Sequence, residues 1–173
     1  GAKAQQNDPL AIGFAKYPVY TGTDLGLSYS PKESVFRIWA PSAMEAQLRI
    51  FPYPDIGNFT EIFPMKKDKN GAWVFTWPGD HKGLYYTFSV FINMKWLNDM
   101  PDPYAKLVGV NGRRALIADL KETNPAGWEK DKSPAFFKKT DAVIYELHVR
   151  DASIAQNSGI AQKGKFPGLA ESG

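Results

Sequence analysis

The segment Asp141 to Asp151, DAVIYELHVRD, constrains the fold most, because it combines strand-forming residues with apolar groups on both of its faces. Side chains alternate along a strand, so Val143, Tyr145, Leu147 and Val149 fall on one face and Ala142, Ile144, Glu146, His148 and Arg150 on the other. Strands covered on both faces belong mostly to parallel sheets, and a parallel sheet of the barrel type takes about 250 residues of alternating strands and helices. Only 22 residues follow Asp151. The segment is therefore expected to be a buried strand whose partners lie outside this chain. Residues 152 to 173 are then expected to be poorly ordered or to lean on another molecule, since an orphan strand exposes unpaired backbone groups.

The rest of the chain reads as short strands cut by turns. At 43% apolar over 173 residues, it can fill one ordinary core and a small appendage, not two full enzyme domains. Thirteen Pro and 15 Gly among many aromatic and β-branched residues favour turn-punctuated β structure with little helix. Strands are expected over Val35 to Ala40, Ala46 to Phe51, Ala72 to Trp77, Leu84 to Ile92 and Ala115 to Leu120, a spacing that suggests a β-sandwich. In the fourth, Leu84, Tyr86, Phe88, Val90 and Ile92 share the face expected to meet the core. In the second, Ala46, Leu48 and Ile50 alternate with Gln47 and Arg49, as in a half-buried antiparallel strand. Asn70-Gly71 and Asn111-Gly112 lie between apolar stretches and can supply the positive φ angles of type I′ hairpin turns.

Several function classes lose support. A net charge of +3 is too weak and dispersed to argue for nucleic acid, and the arginine pair Arg113 and Arg114 reads as a solvated strand end. With no Cys, disulfides, zinc ribbons and thiol catalysis drop out. The apolar runs are strand-sized, well below the roughly 20 residues of a membrane span. Ala2-Lys3-Ala4 resembles the A-x-A tail of a signal-peptide cleavage site, which leaves the compartment open between export, to periplasm or cell surface, and cytoplasm. No GxGxxG or Walker loop is present to hold a phosphate, and nothing else asks for a cofactor.

The chemistry-bearing residues are few. His81 sits in a Gly-Asp-His-Lys-Gly turn and reads as a solvated turn residue; His148 reads as a structural hydrogen-bonding group. Asp68-x-Asn70-Gly71 resembles part of a calcium loop, but Lys66 stands where the first carboxylate belongs and no Glu follows at the required distance, so a plain hairpin turn explains it better. Glu146 and Asp151 are five residues of extended chain apart, at roughly 3.3 Å each, too far for a glycosidase pair, and are assigned structural roles. Trp73, Trp77, Tyr85, Phe91 and Trp96 crowd a short span. Trp73 and Trp77 share a strand face and read as core or interface. Trp96, beside the Asn93-Met94-Lys95 turn, is the candidate for an exposed ring on which a sugar stacks.

Several segments together resemble one family, the type I pullulanases of glycoside hydrolase family 13. They are YTGTDLGL (20–27), VFRIWAPS (35–42), PDPYAKLVGVNGRRALIADL (101–120), NPAGW (124–128) and DAVIYELHVRD (141–151), in the family's order, followed by SGI and KGKFPGL. The resemblance implies an immunoglobulin-like β-sandwich, a family 48 carbohydrate-binding module, ahead of a (β/α)8 barrel that hydrolyses α-1,6 branch linkages with retention. Its nucleophile Asp, acid/base Glu and supporting Asp belong to barrel segments beyond Gly173, so no catalytic residue is expected in this chain. Glycogen-binding modules of the family use two tryptophans and a lysine. Trp96 matches one tryptophan, Thr87 stands where the lysine falls, and no Trp lies near Asp55 to Phe59.

The expected organisation is a flexible leader over 1–16, the sandwich over 17–120, a connector over 121–140 marked by Asn124-Pro125, Gly127 and Ser133-Pro134 and pinned by Trp128, Phe136 and Phe137, and the start of a truncated catalytic barrel over 141–173. The partners implied are an α-glucan (pullulan, starch or glycogen) and the missing barrel as an intramolecular partner, with no nucleic acid and no membrane span. Two other classes stay open: a stand-alone starch- or glycogen-binding module, and an immunoglobulin-like interaction domain unrelated to glucan.

Overall fold

The computed structural model describes residues 13, 16–133, 135 and 137–171. The Ala2-Lys3-Ala4 motif and nearly all of the 1–16 leader lie outside the described residues, as do Pro134 of the connector and Phe136. The chain divides into two compact units, Gly1–Ala126 and Gly127–Gly173.

Among the described residues the first unit holds nine strands: β1 (Gly26–Ser30), β2 (Glu33–Trp39), β3 (Glu45–Phe51), β4 (Glu61–Pro64), β5 (Lys66–Lys67), β6 (Ala72–Pro78), β7 (Tyr85–Ile92), β8 (Lys95–Trp96) and β9 (Ala115–Leu116). They form two antiparallel sheets. One has the order β1-β2-β6-β5; the other has the order β4-β3-β7-β8, with β9 also pairing β7. Alternation sends Phe36 and Ile38 from β2, Ala46, Leu48 and Ile50 from β3, Trp73 from β6 and Tyr86, Phe88, Val90 and Ile92 from β7 into one core between the sheets. The Phe36 and Tyr86 rings meet across the interface edge to face, 4.9 Å apart. Each fully buried Leu, Ile, Val or Phe among them contributes about 1.5–3 kcal/mol of apolar transfer. The all-β sandwich expected from the sequence is the fold observed, and the core faces of β3 and β7 are the expected ones.

Three reversals share one geometry. Asn70 (φ 52°) and Gly71 (φ 77°) form a type I′ turn closed by the Ala72 amide donating to the Lys69 carbonyl. Asn111 (φ 55°) and Gly112 (φ 66°) do the same, with the Arg113 amide donating to Val110. Asn93 (φ 52°) and Met94 (φ 61°) link β7 to β8, with Ile92 facing Lys95. At Gly71 a Cβ would also lie 2.6 Å from Pro41 Cβ, so the position needs glycine twice over.

The strand expected over Ala115 to Leu120 is shorter. Its ladder with β7 stops at Leu116; the Ile117 amide still reaches the Leu84 carbonyl at 2.9 Å, and Asp119 then turns the chain by accepting from the Lys121 amide and opening a 3-10 turn over Leu120–Thr123. A side-chain acceptor placed two residues before a free amide competes with continued pairing.

The second unit corrects the strongest strand expectation. Residues 142–148 form no ladder, and a short helix, α1 (Val149–Ser153), occupies the end of the segment. Val143, Ile144 and Tyr145 are exposed at 79%, 89% and 82%. A strand is a pairing, and no strand among the described residues hydrogen-bonds to this stretch. The barrel strand expected at 141–151 is therefore not formed here. Residues 152–171 are joined by local polar contacts. Ser153 is buried, its hydroxyl donating to the Val149 carbonyl and accepting from the Gly164 amide. The Glu171 carboxylate accepts from the amides of Ala161 and Gln162, and Lys163 Nζ donates to the carbonyls of Ala155 and Gln156.

Candidate functional site

The outer face of the second sheet carries Trp96. The Asn93-Met94 turn folds β8 back along β7 and sets Trp96 opposite Phe91, with ring centroids 5.4 Å apart at 54°. Both rings are half-buried, so each keeps a surface toward solvent. Such a pair offers an apolar platform of the kind that sugar C–H faces pack on.

Along β7 from Phe91 the same face carries Ser89, Thr87 and Tyr85, so Thr87 lies about 13 Å from Phe91 at four strand residues. Ser89 Oγ donates to the Leu97 carbonyl at 2.7 Å. Thr87 Oγ1 donates to Asp99 Oδ1 at 3.2 Å, and Arg49 Nη1 donates to the same oxygen at 2.9 Å. Thr87, expected from the resemblance at the place of a lysine, is thus buried and committed to Asp99. A cation beside Thr87 on this face is Arg49, its cross-strand partner on β3.

Beside Thr87 lies a cavity of about 310 Å³ lined by Asp55, Thr87, Asp99, Pro101, Arg113 and Arg114. Here the reading of Arg113 and Arg114 as a solvated strand end needs correction for Arg114. Its guanidinium lies 3.7 Å from the Phe51 ring centroid and donates to the carbonyls of Tyr53, Ile56 and Gly57 at 2.7–2.8 Å. Arginine's planar fork of donors suits several acceptors at once, which a solvated cation would not need. Arg113 remains exposed on the cavity wall. The loop that Arg114 gathers carries Tyr53 and leads to Phe59. The Phe59 ring packs edge-on against Phe51, 6.2 Å between centroids, with Arg49 over it at 5.2 Å. No Trp is present there, as the sequence stated, but two other aromatics are, both more than one-third exposed. Sequence reading missed them because no period or motif marks the loop; the only signal was the cluster Phe51, Tyr53, Phe59 itself.

The remaining candidates stand apart. The His81 ring stacks on Trp77 with centroids 3.4 Å apart, and its Nε2 donates to the Pro78 carbonyl at 2.9 Å, so it is a packed turn residue rather than a freely solvated one. Trp73 is buried in the core and Trp77 packs against it, as read. His148 caps α1, accepting from the Asp151 amide at 3.4 Å. Glu146 and Asp151 are exposed. Asp68 sits in the hairpin turn expected of it, paired with Arg37 and accepting from the Lys69 amide, and no cluster of three metal-ligating side chains occurs among the described residues.

Residues 24–105 match the family Carbohydrate-binding module 48 (Isoamylase N-terminal domain). The pullulanase of Bacillus subtilis (strain 168) is 36% identical over 152 residues, covering 88% of this chain and 20% of that protein. Pullulanase 1, chloroplastic, of Arabidopsis thaliana is 33% identical over 141 residues, covering 75% of this chain and 14% of that protein. Among solved structures, the apo pullulanase from Paenibacillus barengoltzii superposes with a TM-score of 0.86 at 51% identity over 92% of this chain and 24% of its own. The complex of that enzyme with maltohexaose and alpha-cyclodextrin gives 0.84 at 52% identity, over 90% of this chain and 24% of its own. The chain thus spans about a fifth of the curated relative from Bacillus subtilis. Residues 24–105 thus resemble the family 48 carbohydrate-binding modules, and the chain is similar to about a fifth to a quarter of these pullulanases.

Proposed function

We propose that this chain is the non-catalytic N-terminal segment of a pullulanase-like glycoside hydrolase and that its sandwich touches α-glucan through Trp96. The carrying observation is the Trp96–Phe91 pair, two half-buried aromatic rings on the outer face of a family 48 module. The maltohexaose and alpha-cyclodextrin complex of the Paenibacillus barengoltzii relative supports an α-glucan ligand. The intact enzyme cleaves α-1,6 linkages of pullulan, starch or glycogen with retention, which takes a carboxylate nucleophile and an acid/base about 5–5.5 Å apart. In this reading both acids belong to barrel segments outside the chain. Residues 17–120 form the module, 121–140 the connector, and 141–173 the start of the barrel.

The test is electrophoresis through an amylopectin gel. The chain is retarded, and Trp96→Ala migrates with a non-binding control; equal retardation of both removes Trp96 from the interaction. Incubation with pullulan releases no reducing ends, and release by this chain alone would overturn its non-catalytic assignment. A second reading, a module that chiefly braces the barrel, is favoured by one observation: Thr87 is buried and committed to Asp99 where a ligand-binding lysine falls. It predicts no retardation at all.

A further inference from the structure

A second cleft, of about 320 Å³, opens where edge strand β1 of the first sheet meets β9 and the chain that follows it. It shares no lining residue with the face around Trp96. Its walls are the rings of Tyr29 and Tyr104 with Leu27, Leu107 and Leu116, over a floor that includes Tyr86; Lys106, Asp119 and Lys121 add charge to the lining.

Hydrogen bonds tie the tyrosines of this lining. The Tyr29 hydroxyl donates to Asp80 at 2.7 Å, a bond that pushes the phenol up to about 12 and keeps it neutral. The Tyr86 hydroxyl donates to Asp102 at 2.5 Å, and the other oxygen of that carboxylate accepts from the Tyr104 amide at 2.8 Å. One buried acid thus ties the floor of the cleft to the residue on its wall. Tyr104 is itself half exposed, with its ring available. Neither Lys106 nor Lys121 forms an ion pair among the described residues, and Asp119 uses one oxygen to cap the turn at Lys121.

The lining chemistry narrows the ligand. A purely apolar guest would desolvate two ammonium groups and a carboxylate for no return. An anion would gain the lysines but face Asp119. A neutral polyol both donates and accepts hydrogen bonds, so it uses cations and carboxylate together, and its C–H faces suit tyrosine rings. The volume sits at the small end of the roughly 300–1,000 Å³ of ligand clefts, which fits a sugar unit or short oligosaccharide and not a long polymer stretch. We propose that this cleft is a second glucan subsite, binding a chain end or short α-glucan independently of Trp96. The inference rests on the glucan-binding reading above and extends it.

The experiment is an amide chemical-shift titration of the full 173-residue chain with maltotriose. Two separate saturation curves are expected, one over residues 91–97 and one over 27–29, 104–107 and 116–121. The second survives in Trp96→Ala and weakens about tenfold in Tyr104→Ala, with the first unchanged. Lys121→Ala, at an exposed position, weakens the second curve too and guards against a loop rearrangement in the tyrosine variant; each variant's own spectrum reports its fold. If only residues 91–97 titrate, or if Trp96→Ala abolishes both curves, the second subsite is overturned while the first stands. If neither region responds at saturating maltotriose, the glucan reading itself falls.

Discussion

Two stretches of this chain have comparable apolar content and opposite fates. β7, Tyr85–Ile92, carries strand-forming residues and is buried between neighbours on either side, β3 along one edge and β8, Met100 and β9 along the other. Residues 142–148 carry the same kind of residues and lie exposed without a ladder. The difference is not in the alternation but in what stands alongside, because strand structure is a property of a pair and its burial a property of a sheet. In the second unit, order comes instead from polar clasps such as Ser153 and Glu171, which bind local backbone groups and need no sheet.

The comparison breaks most sharply on core truncation. Phe36→Ala removes a fully buried ring that meets Tyr86 across the two sheets and should cost about 3–5 kcal/mol in urea unfolding. A loss under about 1 kcal/mol would mean that the sandwich core is not where stability resides.

Glycines sharpen it next. Gly71 and Gly127 both have positive φ, 77° and 85°, but a Cβ at Gly71 would strike Pro41 whereas at Gly127 it would meet nothing within 4 Å. Gly127→Ala should cost about 1–2 kcal/mol for left-handed strain alone, and Gly71→Ala visibly more. Equal losses in paired thermal melts would contradict the packing assigned to the turn.

A pH-dependent effect comes third. Burial pushes the Asp102 carboxyl above its ordinary 3.8, against the lowering pull of its bonds from Tyr86 and Tyr104. With the folded value above the unfolded one, its contribution is complete below the unfolded value and is lost as pH rises through the folded one. Asp24 and Asp80, held low mainly by hydroxyls of Tyr20 and Tyr29, and Asp68, held low mainly by the Lys69 amide, run the opposite way and lose their contribution as pH falls. Asp102→Asn should therefore gain on the parent as pH climbs above 3.8. A difference in urea midpoint that stays flat from about pH 3 to 7 contradicts this sign. The smallest effect belongs to the second unit: Ile144→Lys, at an exposed position, should stay within about 0.5 kcal/mol of the parent.

Much of the sandwich was legible because half-buried strands write their burial in period two. The alternation gave the core faces of β3 and β7, β2 and β6 were read as short strands between turn signals, and both Asn-Gly turns followed from the φ angles they allow. The edges were not. β1 reads GLSYS, β4 contains Pro64 and β5 is two lysines; edge strands bury little and so leave little pattern. Phe51 shows a subtler limit. It lies on the outward face of β3 beside Tyr85, yet is 2% exposed because Arg114 covers it. Alternation within one strand cannot register a lid supplied 63 residues later. The candidate face was half legible: Trp96 stood out as a ring beside a turn, whereas Arg49 and Phe59 gain meaning only through cross-strand and loop packing.

The grip of Arg114 on the carbonyls of Tyr53, Ile56 and Gly57 reaches beyond stability. A loop already shaped by its own backbone has less freedom to surrender when a guest settles on it, so association there is spared part of its usual ordering cost. The hairpin from Val108 to Ala115, which carries that arginine, thereby helps to set the shape of the aromatic loop.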